Sequence, residues 1–272
     1  MQVQGKAFVI TGAGAGMARE IALQLLAKGA RVYGVDLNEA GLKETGELAK
    51  AGDRYAFQEL NITDRAAVEA LPAAVVARFG AVDGVLNVAG IIHPFKTIAE
   101  LTIEQIEKVF SVNFWGTLYV AKAFLPLLTA RPEALLLDFA SMGGLVPVPG
   151  QGAYGASKGA VKLFSETLFA ELHTTNVHVI TVFPGGVSTN IAQNSGLTMP
   201  TNMSEKAMKK AMKNTTTPQR AGELVVEAIE KDRPRLLIGS DAKALDRLSR
   251  LNPVGAITTV QKQMAKMMQG MS

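Results

Sequence analysis

Tyr154 and Lys158 stand four residues apart in Tyr154-Gly155-Ala156-Ser157-Lys158, a run that reads as helix. Residues i and i+4 share a helix face, so the phenol and the ammonium are expected side by side. A neighbouring cation favours the phenolate and should lower the phenol pKa from about 10. A phenol tuned toward working pH can give or take a proton, which is the requirement of alcohol–carbonyl interconversion. A Tyr and a Lys at this spacing also occur on ordinary solvated helices, so the pair gains weight only from what surrounds it.

The second chemical signal is Thr11-Gly12-Ala13-Gly14-Ala15-Gly16-Met17-Ala18, between a predicted strand and a predicted helix. Glycines there let the backbone turn tightly and approach a pyrophosphate, while the helix N-terminus offers free N–H groups and a positive dipole end. Asp36 ends the next strand, about 20 residues on, where a carboxylate accepts from ribose hydroxyls and repels a 2′-phosphate. Leu37 and Asn38 follow it rather than a base. This pattern favours NAD(H) over NADP(H). The plainer alternatives are an ordinary βα loop and a helix-capping aspartate.

Short apolar runs alternate with helical patterns. Strands are expected over 6–11, 31–36, 54–60, 85–88, 135–140, 177–183 and 235–238. Helices are expected over 17–28, 39–50, from Asp64 to near Gly80, 102–129 and 151–174. Such alternation predicts an α/β fold: a doubly wound Rossmann architecture with a predominantly parallel seven-stranded sheet flanked by helices. No linker or repeat interrupts it, so one domain is expected over 1–272. Residues 188–218, rich in Asn, Thr, Ser and Met, follow the sixth strand and are expected to act as a substrate lid. Residues 241–272 are expected to be a C-terminal helical extension.

Composition narrows the field. The 272 residues are 48% hydrophobic and 19% charged, with no cysteine. That removes disulfides, thiol nucleophiles and Cys-ligated zinc. His93, His173 and His178 lack metal-ligand spacing, so no metal is expected. The net charge of +4 is diffuse and does not argue for nucleic acid. With a short polar N-terminus and no long apolar run, the expectation is a cytoplasmic protein.

The chain resembles the short-chain dehydrogenase/reductase family over nearly its whole length. Residues 11–18 are similar to that family's TGxxxGxG motif, with Ala18 in place of the last glycine. Asn87-Val88-Ala89-Gly90 is similar to its NNAG motif. Asn113 lies where the family carries a helix asparagine, and Ser141 precedes Tyr154 by 13 residues, the family's usual gap. Pro184-Gly185 resembles its PG motif. The resemblance implies a tetrad of Asn113, Ser141, Tyr154 and Lys158. Tyr154 would transfer the proton, and Lys158 would lower its pKa and hold the nicotinamide ribose. Ser141 would bind the substrate oxygen, and Asn113 would hold a water linking Lys158 to solvent. It also implies cofactor contacts from Gly12, Gly14, Gly16, Met17, Asp36, Leu37, Asn61, Ile62, Asn87, Ala89, Gly90, Tyr154, Lys158, Pro184, Gly185, Val187 and Thr189. Asn61 would accept from the adenine amino group. Assembly as a homodimer or homotetramer through the helices at 102–129 and 151–174 is implied likewise.

Substrate contacts are expected from Ser141, Met142, Gly143, Tyr154, His93, Met199 and Met203, although a solvated loop position suits His93 better. The surrounding residues are mostly apolar, including Ile91, Ile92, Phe95, Leu145, Val146 and Val148. A hydrophobic alcohol or ketone is therefore expected, of steroid, retinoid or long-chain type. The alternatives are an NADPH-dependent 3-oxoacyl-thioester reductase and a non-catalytic dinucleotide-binding regulator. In the extension, Ile257, Val260, Met264, Met267 and Met268 share a predicted helix face. Packing on the same chain is favoured there over peripheral membrane contact.

Overall fold

The computed structural model describes residues 1–188, 191, 195 and 215–269, the last four (266–269) in backbone only. Seven strands form one sheet in the order β3-β2-β1-β4-β5-β6-β7. They are β1 (Ala7–Thr11), β2 (Arg31–Asp36), β3 (Tyr55–Glu59), β4 (Gly84–Asn87), β5 (Ala134–Phe139), β6 (Val177–Pro184) and β7 (Arg235–Ile238). Every pairing is parallel. The order reverses direction between β1 and β4, which opens a crevice at the carboxyl ends of the strands.

Nine α-helices are described: α1 (Gly16–Ala27), α2 (Glu39–Ala49), α3 (Arg65–Phe79), α4 (Ile103–Phe110), α5 (Thr117–Thr129), α6 (Gly152–Glu171), α7 (Pro218–Glu230), α8 (Ser240–Leu251) and α9 (Pro253–Gln269). Capping fixes several starts. Asp64 accepts from the Ala67 N–H, Thr217 from the Arg220 N–H, and Thr102 with Gln105 forms a capping box.

Alternation along the strands builds two cores, as a sheet covered on both faces requires. Phe8, Ile10, Leu135 and Leu137 face α1 and α7, where Ile21, Leu25, Val225 and Ile229 meet them. Ala7, Val9, Val85 and Leu136 face the opposite way, against Val68, Leu71, Phe124 and Leu128 of α3 and α5. At the carboxyl end of this second face the apolar pattern stops. Thr11, Asn87, Asp138 and Thr181 are in register across β1, β4, β5 and β6, and all four are buried. This polar row lies under α6, whose Ser165 accepts from Thr181 Oγ1 at 2.8 Å.

The helix expected over 102–129 runs on from Ile103 to Thr129, with a π-helical segment, Ser111–Gly116, between α4 and α5. Within this segment the Asn113 side chain bonds the Ile91 main chain. In the extension, Ile257 is 46% exposed. Ala256 and Val260 are the buried residues, packed with Met264 against Val146 of the β5–α6 loop. The side chains of Met267 and Met268 lie outside the described residues.

Candidate active site

The β1–α1 turn makes one end of the site. Gly12 has φ +77°, and a Cβ there would stand 3.1 Å from Ala89 Cα. Only glycine meets both constraints. The Thr11 hydroxyl accepts from the N–H groups of Val88 and Ala89 at 3.1 and 3.2 Å, tying β1 to the loop after β4. Ala15 precedes α1 with no side-chain cap, and the first turn of the helix holds no acidic residue. The leading N–H groups of α1 are thus free to meet an anion.

A cavity of about 540 Å³ opens over this turn, lined by Gly12, Gly16, Met17, Asp36, Leu37, Asn61, Ile62, Ala89 and Gly90 among others. Its size, glycine floor and uncapped helix end suit a dinucleotide. Asp36 ends β2, with Oδ2 accepting from the Gly14 N–H at 2.9 Å and Oδ1 from the Asn38 N–H at 3.0 Å. A carboxylate has about four acceptor positions, so two remain for a ligand hydroxyl. The Asn61 Oδ1 accepts from the N–H and hydroxyl of Thr63, which turns it toward its own loop. Asn87 lies beneath the cavity, its Nδ2 donating to Asp138 Oδ1 at 2.8 Å.

A second cleft of about 230 Å³ continues from the first, sharing Met17, Val88, Gly90 and Ile191 with it. Ser141, Met142, Gly143, Tyr154, Lys158, Pro184, Gly185 and Val187 line this end. Ser141 sits just past β5, its Oγ accepting from the Gly143 N–H at 3.1 Å. The turn that follows presses on α6: a Cβ on Gly144 would lie 2.8 Å from the Lys158 carbonyl carbon. This close approach brings Ser141 beside Tyr154: a Cβ on Gly143 would stand 3.5 Å from Ser141 Oγ and 3.6 Å from Tyr154 Cε1.

The electrostatics differ from the expected phenol–ammonium pair. Burial raises the Tyr154 pKa above its usual value, and the Ser141 hydrogen bond offsets only part of the shift. Lys158 directs its ammonium to the Phe139 carbonyl at 2.7 Å. Burial lowers the Lys158 pKa to about 8, opposed by the charge of Asp138. Asp138 is itself pushed up to about 6 by burial, with Asn87, Ser165 and Lys158 pulling the other way. Desolvation therefore dominates at the phenol.

Asn113 is fully buried and its side chain is committed. Oδ1 accepts from the Ile91 N–H at 2.8 Å, while Nδ2 donates to Ile91 O and to Ser157 Oγ, both at 3.0 Å. It thus clasps the loop after β4 to α6. His93 is corrected: it is 2% exposed rather than solvated, and the Gln151 amide donates to its carbonyl. Thr189, Met199 and Met203 lie outside the described residues. Asp138 and Gln151 went unremarked in the sequence. A lone carboxylate in the otherwise apolar run Ala134–Phe139 was the available signal for the first.

No metal-ligating cluster of three or more His, Cys, Asp or Glu residues occurs among the described residues. No described helix is long and apolar enough to cross a membrane.

Known proteins share this arrangement. The family model described as short chain dehydrogenase matches residues 6–200. A protein of Mycobacterium tuberculosis named putative oxidoreductase SadH is 36% identical over 254 residues, covering 91% of each chain. Among solved structures, a short chain dehydrogenase/reductase from Burkholderia phymatum in complex with NAD superposes with TM-score 0.82 at 26% identity, over 93% of this chain and 95% of that one. A closed serine dehydrogenase complexed with NADP+ gives TM-score 0.75 at 26% identity, over 85% and 94% of the two chains. The continuous groove, its glycine floor and these matches lead to one assignment: the chain belongs to the short-chain dehydrogenase/reductase family of oxidoreductases.

Proposed function

We propose that the protein interconverts a secondary alcohol and a ketone on a largely apolar substrate, using NAD(H). The observation that carries this reading is the cluster of Ser141, Tyr154 and Lys158 lining the second cleft, which adjoins the first. When bound, a nicotinamide dinucleotide supplies or accepts the hydride. The chain itself handles the oxygen and its proton. Ser141 donates to the substrate oxygen and stabilises the charge that develops there. Tyr154 gives its proton in reduction and takes one in oxidation. Lys158, held by the Phe139 carbonyl, supplies positive charge beside the phenol. That charge matters most when Tyr154 must lose its proton, since burial alone opposes ionisation.

Preference for NAD(H) is supported by Asp36, whose carboxylate lines the cavity at the end of β2 and would repel a 2′-phosphate. An apolar substrate is supported by Ile92, Phe95, Met142 and Val148 in the second cleft. Assembly as a homo-oligomer through α4–α5 and α6 is part of the same reading. Trp115, Leu163 and Phe169 are large apolar residues left exposed on those elements.

The test is a screen of hydrophobic secondary alcohols and ketones with both cofactors, followed by NADH absorbance. Turnover with NAD(H) that exceeds turnover with NADP(H) is expected. Dinucleotide binding without turnover of any member would favour the regulator reading instead.

A further inference from the structure

A buried acceptor of a residue that lines the second cleft meets no donor among the described residues: Gln151 Oε1. Gln151 precedes α6, is 4% exposed, and lines the second cleft with Ser141 and Tyr154. Its Nε2 donates to the His93 carbonyl at 2.9 Å. A carbonyl can only accept, so this bond fixes which end of the amide is nitrogen. The free end is therefore an oxygen. Unpartnered buried acceptors are uncommon in native folds, and a ligand's donor can satisfy one beside a reacting centre.

Resting on the alcohol–ketone reading above, we propose that the substrate carries a second hydroxyl besides the reacting carbon–oxygen group, and that Gln151 selects for it. The second hydroxyl donates to Gln151 Oε1, while the His93 carbonyl holds the amide in that orientation. Gln151 precedes Tyr154 by three residues and lines the same cleft. Hydroxyketones and diols on an apolar skeleton offer both a reacting oxygen and a second donor. One polar contact in an apolar cleft discriminates strongly, because an analogue without the hydroxyl leaves the buried acceptor unpaired.

The experiment compares kcat/KM for matched pairs: cyclohexanol against its 1,2- and 1,3-diols, and 1-phenylethanol against 1-phenyl-1,2-ethanediol. Wild-type protein and Gln151→Met are assayed, with NADH binding measured on both as a check of folding. The wild type should favour a diol by about tenfold or more. In Gln151→Met, of similar length but without the acceptor, the diol-to-alcohol ratio should fall to about one. A purely structural role would lower both rates together and leave the ratio in place. Equal or better use of the mono-alcohol by the wild type, or a preserved ratio in the variant, overturns the proposal alone. No turnover of any member, in a protein that still binds NADH, overturns the alcohol–ketone reading and this inference with it.

Discussion

Lys158 and Phe139 share a 2.7 Å hydrogen bond that ties α6 to the end of β5, two residues before Ser141. The lysine is thus fixed by the sheet, and Tyr154, one turn earlier on α6, is fixed with it.

Replacing Tyr154 by Phe removes the hydroxyl and keeps the ring. NADH affinity should stay within about twofold, while kcat falls by about 10²–10⁴, the usual contribution of a positioned acid–base group. Stopped-flow turnover alongside NADH fluorescence titration separates the two. Near-wild-type turnover in the Phe variant would remove Tyr154 from the chemistry.

Asp36→Ala deletes the acceptor of the Gly14 and Asn38 N–H groups and the negative charge beside the cavity. The NAD-to-NADP ratio of kcat/KM should drop by about tenfold or more, on the order of one lost charge-assisted contact. An unchanged ratio would mean that the carboxylate serves the turn alone.

Asp138 makes a pH prediction whose sign follows from its shift. Its pKa in the fold is about 6, above the ordinary 3.8. Between about pH 4 and about pH 6 the folded protein holds more protons at this site than the unfolded chain. The stability contributed by this proton is complete below the unfolded value and is lost as pH rises through about 6. Asp138→Asn should flatten that part of a plot of Tm against pH. It should also lower the Lys158 pKa further, since Asp138 is what opposes the effect of burial there. A wild-type slope retained in the Asn variant would place the titration elsewhere.

Gly144→Ala sets a methyl group 2.8 Å from the Lys158 main chain, where no flexible side-chain end can move aside. Overpacking of this kind costs about 1–3 kcal/mol. Urea denaturation should show that loss, and turnover should fall with it because the same turn carries Ser141. Wild-type stability and rate in the Ala variant would show that the turn can shift freely.

The sequence by itself determined the fold class, the strand order of events along the chain, and the composition of both ends of the groove. Those rest on local periodicities and on glycines at a strand–helix junction, which the backbone obeys wherever they stand. Only tertiary structure decided the charge states and the clasps. The pKa values of Tyr154, Lys158 and Asp138 depend on how completely α6 and the sheet exclude water. Asn113 meets Ile91 and Ser157, and Gln151 meets His93, across 22, 44 and 58 residues of chain. Spacing rules reach one helical turn or one strand pair, so contacts at such separations exist only once the sheet has brought the loops together.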